Sequence, residues 1–433
     1  MQCDLNHSKV ALVTAVTRSN VRWHSAPIGA KQLAETIGIL RCGLDEEAWA
    51  DTTQASCAEK FGLKRPPALG GPLPFDLDRA HALYQALLEP AAKDIDGKEL
   101  ILVPSGPLAT LPFEVLLTET PASTDLAKAP WLAKRFATTV LPSVSSLKAL
   151  RQVAQTSKAP KPFAGFGNPL LNGNGESADI AERARQARLL QSCTESPETK
   201  ANQIAQRALA KSGPRAIVSL SGGTADVEQL RRQIPLPETA LELCAVANSF
   251  TPVKGEVYLG SEATETKIKS LSDSGRLAQY RVLHFATHGA LSGQVHGSIE
   301  PGLILTPPAA ATPADDGYLS SSEISGLKLD ADWVVLSACN TAGGEESNSE
   351  AFSGLARAFF YAGTRALLVS HWPVSSEAAV AITTGVTEAM MSHPEIGRAE
   401  ALRRSISALI ARGGSNAHPS VWAPFVLVGN GSS

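Results

Sequence analysis

The sequence lacks the marks of several protein classes, and each absence narrows the reading. It has no C-x-x-C pair, and its six cysteines (Cys3, Cys42, Cys57, Cys193, Cys244 and Cys339) lie scattered without metal-like spacing to the nine histidines. That pattern predicts neither a disulfide framework nor a zinc site, so the expectation is a chemistry without metal or cofactor. No apolar run approaches the length of a membrane span, and the stretch Met1-Gln2-Cys3-Asp4-Leu5-Asn6-His7 has none of the regions of a signal peptide. A reducing cytoplasm is the expected location, and it would keep a reactive thiol reduced. An excess of one charge is missing too: the net charge is −3 and the pI near 6.3, which gives no overall electrostatic reason to bind nucleic acid or an anionic membrane. No internal repeat of fixed period is present. What remains is a chain of 433 residues with 43% hydrophobic content, large enough for more than one compact lobe.

The first apolar run, 10–16, reads as a strand, and residues 31–40 read as a helix with Leu33, Ile37 and Leu40 on one face. A Pro/Gly-rich loop is expected over 61–74, a helix over 76–88 and a strand over 99–103, ended by Pro104-Ser105-Gly106-Pro107. Between 168 and 237 the apolar pattern fades into charged, Ala-rich and Ser/Gly-rich segments. Beyond it, strands are expected around 256–259, 282–285, 333–336, 366–369 and 425–428, with helices between several of them. Such alternation predicts an α/β fold with a mostly parallel sheet flanked by helices on both faces. The expected organisation is an amino-terminal lobe over 1–160, a junction or insertion over 161–235, and a catalytic lobe over 236–433.

Two of these strands end in reactive groups. Trp333-Val334-Val335-Leu336-Ser337-Ala338 runs into Cys339 and then into Asn340-Thr341-Ala342-Gly343-Gly344. Arg281-Val282-Leu283-His284-Phe285-Ala286-Thr287 runs into His288 and Gly289. In open α/β sheets reactive groups sit just beyond the carboxyl ends of the strands, so the pair suggests a thiol and its base. The 51-residue spacing between His288 and Cys339 agrees with a caspase-type arrangement, in which the histidine lies about 50 residues upstream. With HFATHG (284–289), LSACNT (336–341), GLARAFFYAGTRALLVSHWPV (354–374) and HPSVWAPFVLVG (418–429), the chain resembles the CHAT domain family, bacterial relatives of caspases and separase. Weaker likenesses upstream, over 99–117, 141–150 and 163–171, extend the resemblance to nearly the whole chain.

The resemblance implies a caspase-like cysteine endopeptidase working through a thioester. His288 would activate the Cys339 thiol and protonate the leaving amine. The backbone N–H groups of Gly289 and Cys339 would form the oxyanion hole, each such donor being worth about 3 kcal/mol. His284, on the same face of its strand as His288, is expected to pack or bond beneath the site. His371 and Trp372 are candidates for lining a substrate groove. Glu300, Asp315, Asp316, Glu323, Glu345 and Glu346 are loop acids of which one could bind a basic side chain, and most are expected to be simply solvated. Ser337, two residues before the thiol, stands where metacaspases have an acid. Family members often carry tetratricopeptide repeats before the CHAT domain, and they act in bacterial, including antiviral, defence or regulated cell death. There, cleavage of a gasdermin-like or other effector protein triggers the response, and an activating protein partner is expected; no direct nucleic-acid or membrane partner is. The alternatives are a catalytically inactive CHAT scaffold and a cysteine hydrolase of small amides.

Executioner caspases are switched on by cutting a long linker after the cysteine, but here only about ten residues, 340–349, precede the next expected helix, close to the usual length of a connection. Activity should therefore need no cleavage there. Intact-mass analysis beside a substrate assay checks this: uncut chains should turn over substrate, and turnover confined to chains cut within 340–349 would overturn it.

Overall fold

The structure, a computed structural model, describes residues 10–431 apart from 50–56, 64–66, 68–70, 142, 145–156, 174, 176, 194–217, 222–223, 251, 291–294, 297–299, 338–352 and 373. The chain opens with an antiparallel hairpin, β1 (Val10–Val16) and β2 (Val21–Gly29), which forms its own two-stranded sheet. Helix α1 (Ala30–Cys42) follows directly and buries Leu33, Ile37 and Leu40, as their spacing predicts. Helix α2 (Leu77–Leu87) is capped by Asp76, whose side chain accepts from the Arg79 N–H.

One eight-stranded sheet dominates the molecule. Its strands are β3 (Leu100–Leu102), β4 (Thr138–Val140), β5 (Lys161–Gly167), β6 (Glu256–Leu259), β7 (Tyr280–Ala286), β11 (Trp333–Leu336), β12 (Ala366–Ser370) and β13 (Phe425–Gly429). The spatial order is β3-β4-β13-β12-β11-β7-β5-β6, with every neighbouring pair parallel except β12 and β13. Three short strands, β8 (Gly289–Ala290), β9 (Gly302–Ile304) and β10 (Tyr318–Ser320), form a separate antiparallel sheet just after β7.

Successive residues of the central strands divide between two hydrophobic cores. Val282, Val335, Leu368 and Leu427 enter one; Leu283, Val334, Leu367 and Val428 enter the other. A strand that must bury both faces needs an unbroken apolar run, which is why the runs in this sequence do not alternate with polar residues. The first core is covered by α1, α2, α4 (Glu238–Ser249), α8 (Ser376–Ser392) and α9 (Arg398–Ala411). The second is covered by α5 (Glu265–Asp273), α6 (Ser321–Ser325) and α7 (Ser353–Ala362). Helix α3 (Ala178–Leu189) lies in the stretch where the apolar pattern fades. The sheet takes strands from both sides of the boundaries expected at 160 and 236.

Glycines decide how closely α4 approaches. A Cβ on Gly167 of β5 would lie 2.7 Å from Leu243 of α4 and 2.7 Å from the Ala286 carbonyl. Only glycine leaves that room.

The expectation of no disulfides is corrected. Cys42 pairs with Cys57, their Cα atoms 5.6 Å apart, and Cys193 pairs with Cys244 at 5.4 Å. Tertiary folding assembles these pairs across 15 and 51 residues, so no local spacing announces them. All four described cysteines are thus bonded, and cysteine usage no longer favours a reducing compartment. In denaturant without reductant, alkylation should spare Cys42, Cys57, Cys193 and Cys244. The Cys193→Ser/Cys244→Ser protein should lose about 2–4 kcal/mol of stability in urea melts. Full alkylation of all four before reduction would contradict the pairing.

Candidate active site

Strand β7 delivers His288 through Thr287, and short-range bonds fix its backbone. The Ile304 N–H donates to the His288 carbonyl at 2.9 Å, and the Thr287 hydroxyl donates to the Ile304 carbonyl. The ring is held from elsewhere: His288 Nε2 lies 2.7 Å from the Ile234 carbonyl oxygen. A carbonyl can only accept, so Nε2 carries the proton and Nδ1 of the neutral ring keeps its lone pair. Burial holds the ring's pKa below the ordinary histidine value, the positive charge of Arg183 adds to this, and the Ile234 carbonyl works the other way. The imidazole is neutral at pH 7, the state of a general base.

Strand β11 runs parallel to β7, with Leu336 opposite Phe285, and the Ser337 N–H donates to the Phe285 carbonyl at 3.0 Å. The chain leading to Cys339 thus leaves the sheet beside the chain leading to His288. Cys339 itself, its backbone N–H, the 340–349 segment and Glu345 and Glu346 lie outside the described residues. Gly289 is buried at the start of β8, opposite Leu303.

Beneath the strand ends His284 is bonded as expected, in a polar cluster whose Glu242 the sequence did not reveal. His284 is fully buried, and its Nε2 lies 2.8 Å from Ser337 Oγ and 2.9 Å from Glu242 Oε1. The Ser337 hydroxyl donates to the same carboxylate oxygen at 2.5 Å. Glu242 comes from α4, which the glycines of β5 admit to this depth. Phe163 meets the His284 ring edge-on. Both of the ring's polar contacts go through Nε2, and Nδ1 has no hydrogen-bond partner among the described residues. The cluster therefore lacks the two-sided relay of a catalytic triad. Its effect is to tie the last turn of β11 before Cys339 to β7 and α4 at once.

His371 and Trp372 do not line an open groove: both are 2% exposed. The Trp372 indole donates to the Ser420 carbonyl at 3.0 Å, and burial, with a smaller contribution from Arg41, pushes the His371 pKa down to about 3. Trp372 belongs to the core that α8 covers. The described acids are engaged in the fold. Glu300 accepts from the Ser322 N–H and hydroxyl, Asp315 from the Thr266 N–H, Asp316 from the Ala225 and Tyr318 N–H groups, and Glu323 completes the capping box of α6. Among the described residues no three His, Cys, Asp or Glu side chains converge as metal ligands would.

Known proteins agree with the pattern of motifs. Residues 77–430 match the model of the CHAT domain, and the chain belongs to that family. Tetratricopeptide repeat protein 28 of Mus musculus is 26% identical over 210 residues; the match takes in 40% of this chain and 8% of that protein. Separase of Saccharomyces cerevisiae, solved in complex with securin, aligns with 76% of this chain and 15% of its own at 13% identity and a TM-score of 0.38. The Arg-specific cysteine proteinase gingipain R aligns with 69% of this chain and 56% of its own at 10% identity and a TM-score of 0.34. The chain spans a small part of the relative and of the separase that it matches.

A histidine whose folded pKa is depressed stabilises the fold above its unfolded pKa of about 6.5, and that stability is lost as pH falls through the folded pKa. For His371, the drop from pH 7 to pH 5 should cost about 2 kcal/mol. Urea melts of the protein and of His371→Gln at both pH values check this: the wild type should lose more stability by that amount. Equal losses would contradict the burial of a neutral ring.

Proposed function

We propose that this CHAT-family chain is a caspase-like cysteine endopeptidase in which His288 is the base and Cys339 the nucleophile. The observation that carries the reading is the Nε2 hydrogen bond to Ile234, which leaves Nδ1 as the ring's proton acceptor at the end of β7, beside the strand that leads to Cys339. A thiol near its ordinary pKa is only slightly ionised at neutral pH, so a neutral imidazole is what it needs.

In the proposed reaction Nδ1 takes the thiol proton as sulfur attacks the peptide carbonyl. The tetrahedral oxyanion is met by the N–H groups of Gly289 and Cys339. The resulting imidazolium is stabilised by the Ile234 carbonyl and returns its proton to the leaving amine, giving a thioester. Water, deprotonated by the same nitrogen, then hydrolyses the thioester. A ring poised below the usual histidine pKa gives the proton up readily, which suits the second half of the cycle. The substrate in this reading is a protein, such as a gasdermin-like or other effector in a bacterial defence response. An activating protein partner completes the site by ordering loops around it.

Cys339→Ala should abolish cleavage of a protein substrate, and His288→Ala should lower kcat by about 10²–10⁴-fold with the fold intact by circular dichroism. A peptidyl electrophile should label Cys339 alone. Cleavage by Cys339→Ala at the wild-type rate would move the nucleophile elsewhere, and absence of labelling would favour the scaffold reading.

A further inference from the structure

The carbonyl that orients His288 belongs to no helix or strand, so its own placement needs a cause. Ile234 lies in the short connection before α4, and bonds from two directions hold that connection. On one side the Asn172 N–H donates to the Arg231 carbonyl at 2.7 Å and the Gly173 N–H to the Gln233 carbonyl at 3.0 Å. On the other, Arg183 of α3 donates from Nε to the Pro235 carbonyl at 2.9 Å and from Nη2 to Glu238 Oε1 at 2.6 Å. Both side chains of that ion pair are largely enclosed, at 21% and 12% exposure, so water screens it weakly.

We propose that Arg183 is a positioning residue for His288: by clamping the Pro235 carbonyl and Glu238, it holds the Ile234 carbonyl against Nε2 and so decides which ring nitrogen is left for the thiol. The backbone makes such a clamp effective. The Ile234 carbonyl is part of the Ile234–Pro235 peptide; the proline ring fixes its own φ and restricts the residue before it. The remaining soft rotation is ψ of Pro235, and Arg183 fixes that one through the proline carbonyl. A lysine carries the charge and three donors, but all on one nitrogen; it lacks the planar fork that sets Nε on the carbonyl and Nη2 on the carboxylate at a fixed separation.

Helix α3 is itself anchored to the sheet end. Asn168, directly after β5, takes up a left-handed conformation at φ 50 and donates from Nδ2 to the carbonyls of Ala187 and Leu190, each at 2.8 Å. The Cys193–Cys244 disulfide ties the segment after α3 to α4. Arg183 therefore reaches the connection from a fixed base, and the clamp transmits the position of β5 to the ring at the end of β7.

The kinetic consequence rests on the peptidase reading, whereas the geometric one does not, and two readouts separate them. In histidine-¹⁵N-labelled protein at pH 7.5, with the His288 signals assigned by their loss in His288→Asn, the wild type should show the Nε2–H tautomer alone. Arg183→Ala should show a mixture of tautomers, and Arg183→Lys, which keeps the charge and the local packing but not the fork, an intermediate mixture. On a peptide reporter, kcat should fall about 10- to 100-fold in Arg183→Ala, and less in Arg183→Lys, with KM within about twofold of wild type. If Arg183→Ala does not fold, Arg183→Lys carries both readouts. The wild-type tautomer retained in the folded Arg183 variants would overturn the clamp, as would a rise in KM at unchanged kcat. If Cys339→Ala cleaved the reporter like the wild type, the peptidase reading would fail, and the tautomer readout would still decide for or against the clamp.

Discussion

The hydrogen bond between the His288 ring and the Ile234 carbonyl is the contact on which the proposed chemistry turns. An imidazole offers two nitrogens, and a base facing a thiol must present the unprotonated one. A backbone carbonyl settles the matter because it has no proton to give. It also stabilises the imidazolium once formed, without adding a formal charge that would compete for the thiol proton. Desolvation works against that charged state, so the half-buried ring sits at a balance between surroundings that disfavour the cation and a carbonyl that favours it.

The sheet supplies the geometry for this contact. Parallel neighbours buried on both faces bring two strand ends to the same level, and His284, Ser337 and Glu242 lock those ends beneath the surface. Burying such polar groups is costly without partners; the shared Glu242 oxygen serves both the imidazole Nε2 and the hydroxyl, while His284 Nδ1 has no partner among the described residues. Glycine in β5 lets α4 bring that carboxylate in. The result is a pair of strand termini with little freedom to move relative to each other, as the proposed dyad would require.

Much of this was legible in the sequence because the central strands obey one rule. Continuous apolar runs such as Trp333-Val334-Val335-Leu336 and Ala366-Leu367-Leu368-Val369 signal strands buried on two faces, and the structure has strands there. Strand β2 is hard to read from the sequence because most of its residues are exposed and the run Val21-Arg22-Trp23-His24-Ser25 offers only two apolar residues, both at the surface. Ile234 left no signal, since the functional atom is a peptide oxygen that every residue type possesses. Glu242 reads as one more acid on an amphipathic helix; only the glycines of β5 hint that α4 comes close. Trp372 was placed in a groove by analogy of its motif, yet a tryptophan with a backbone carbonyl within reach of its indole N–H is readily buried, as here. The disulfides were invisible for a related reason: their partners meet only after the chain has folded.

The central claim is that His288 presents Nδ1 to the Cys339 sulfur while Nε2 rests on the Ile234 carbonyl. A crystal structure of the protein with a peptidyl electrophile covalently attached to Cys339 tests it most directly. The account predicts the sulfur within about 4 Å of Nδ1, with the Nε2 contact to Ile234 preserved. A sulfur approached by Nε2, or lying beyond reach of the His288 ring altogether, would contradict it.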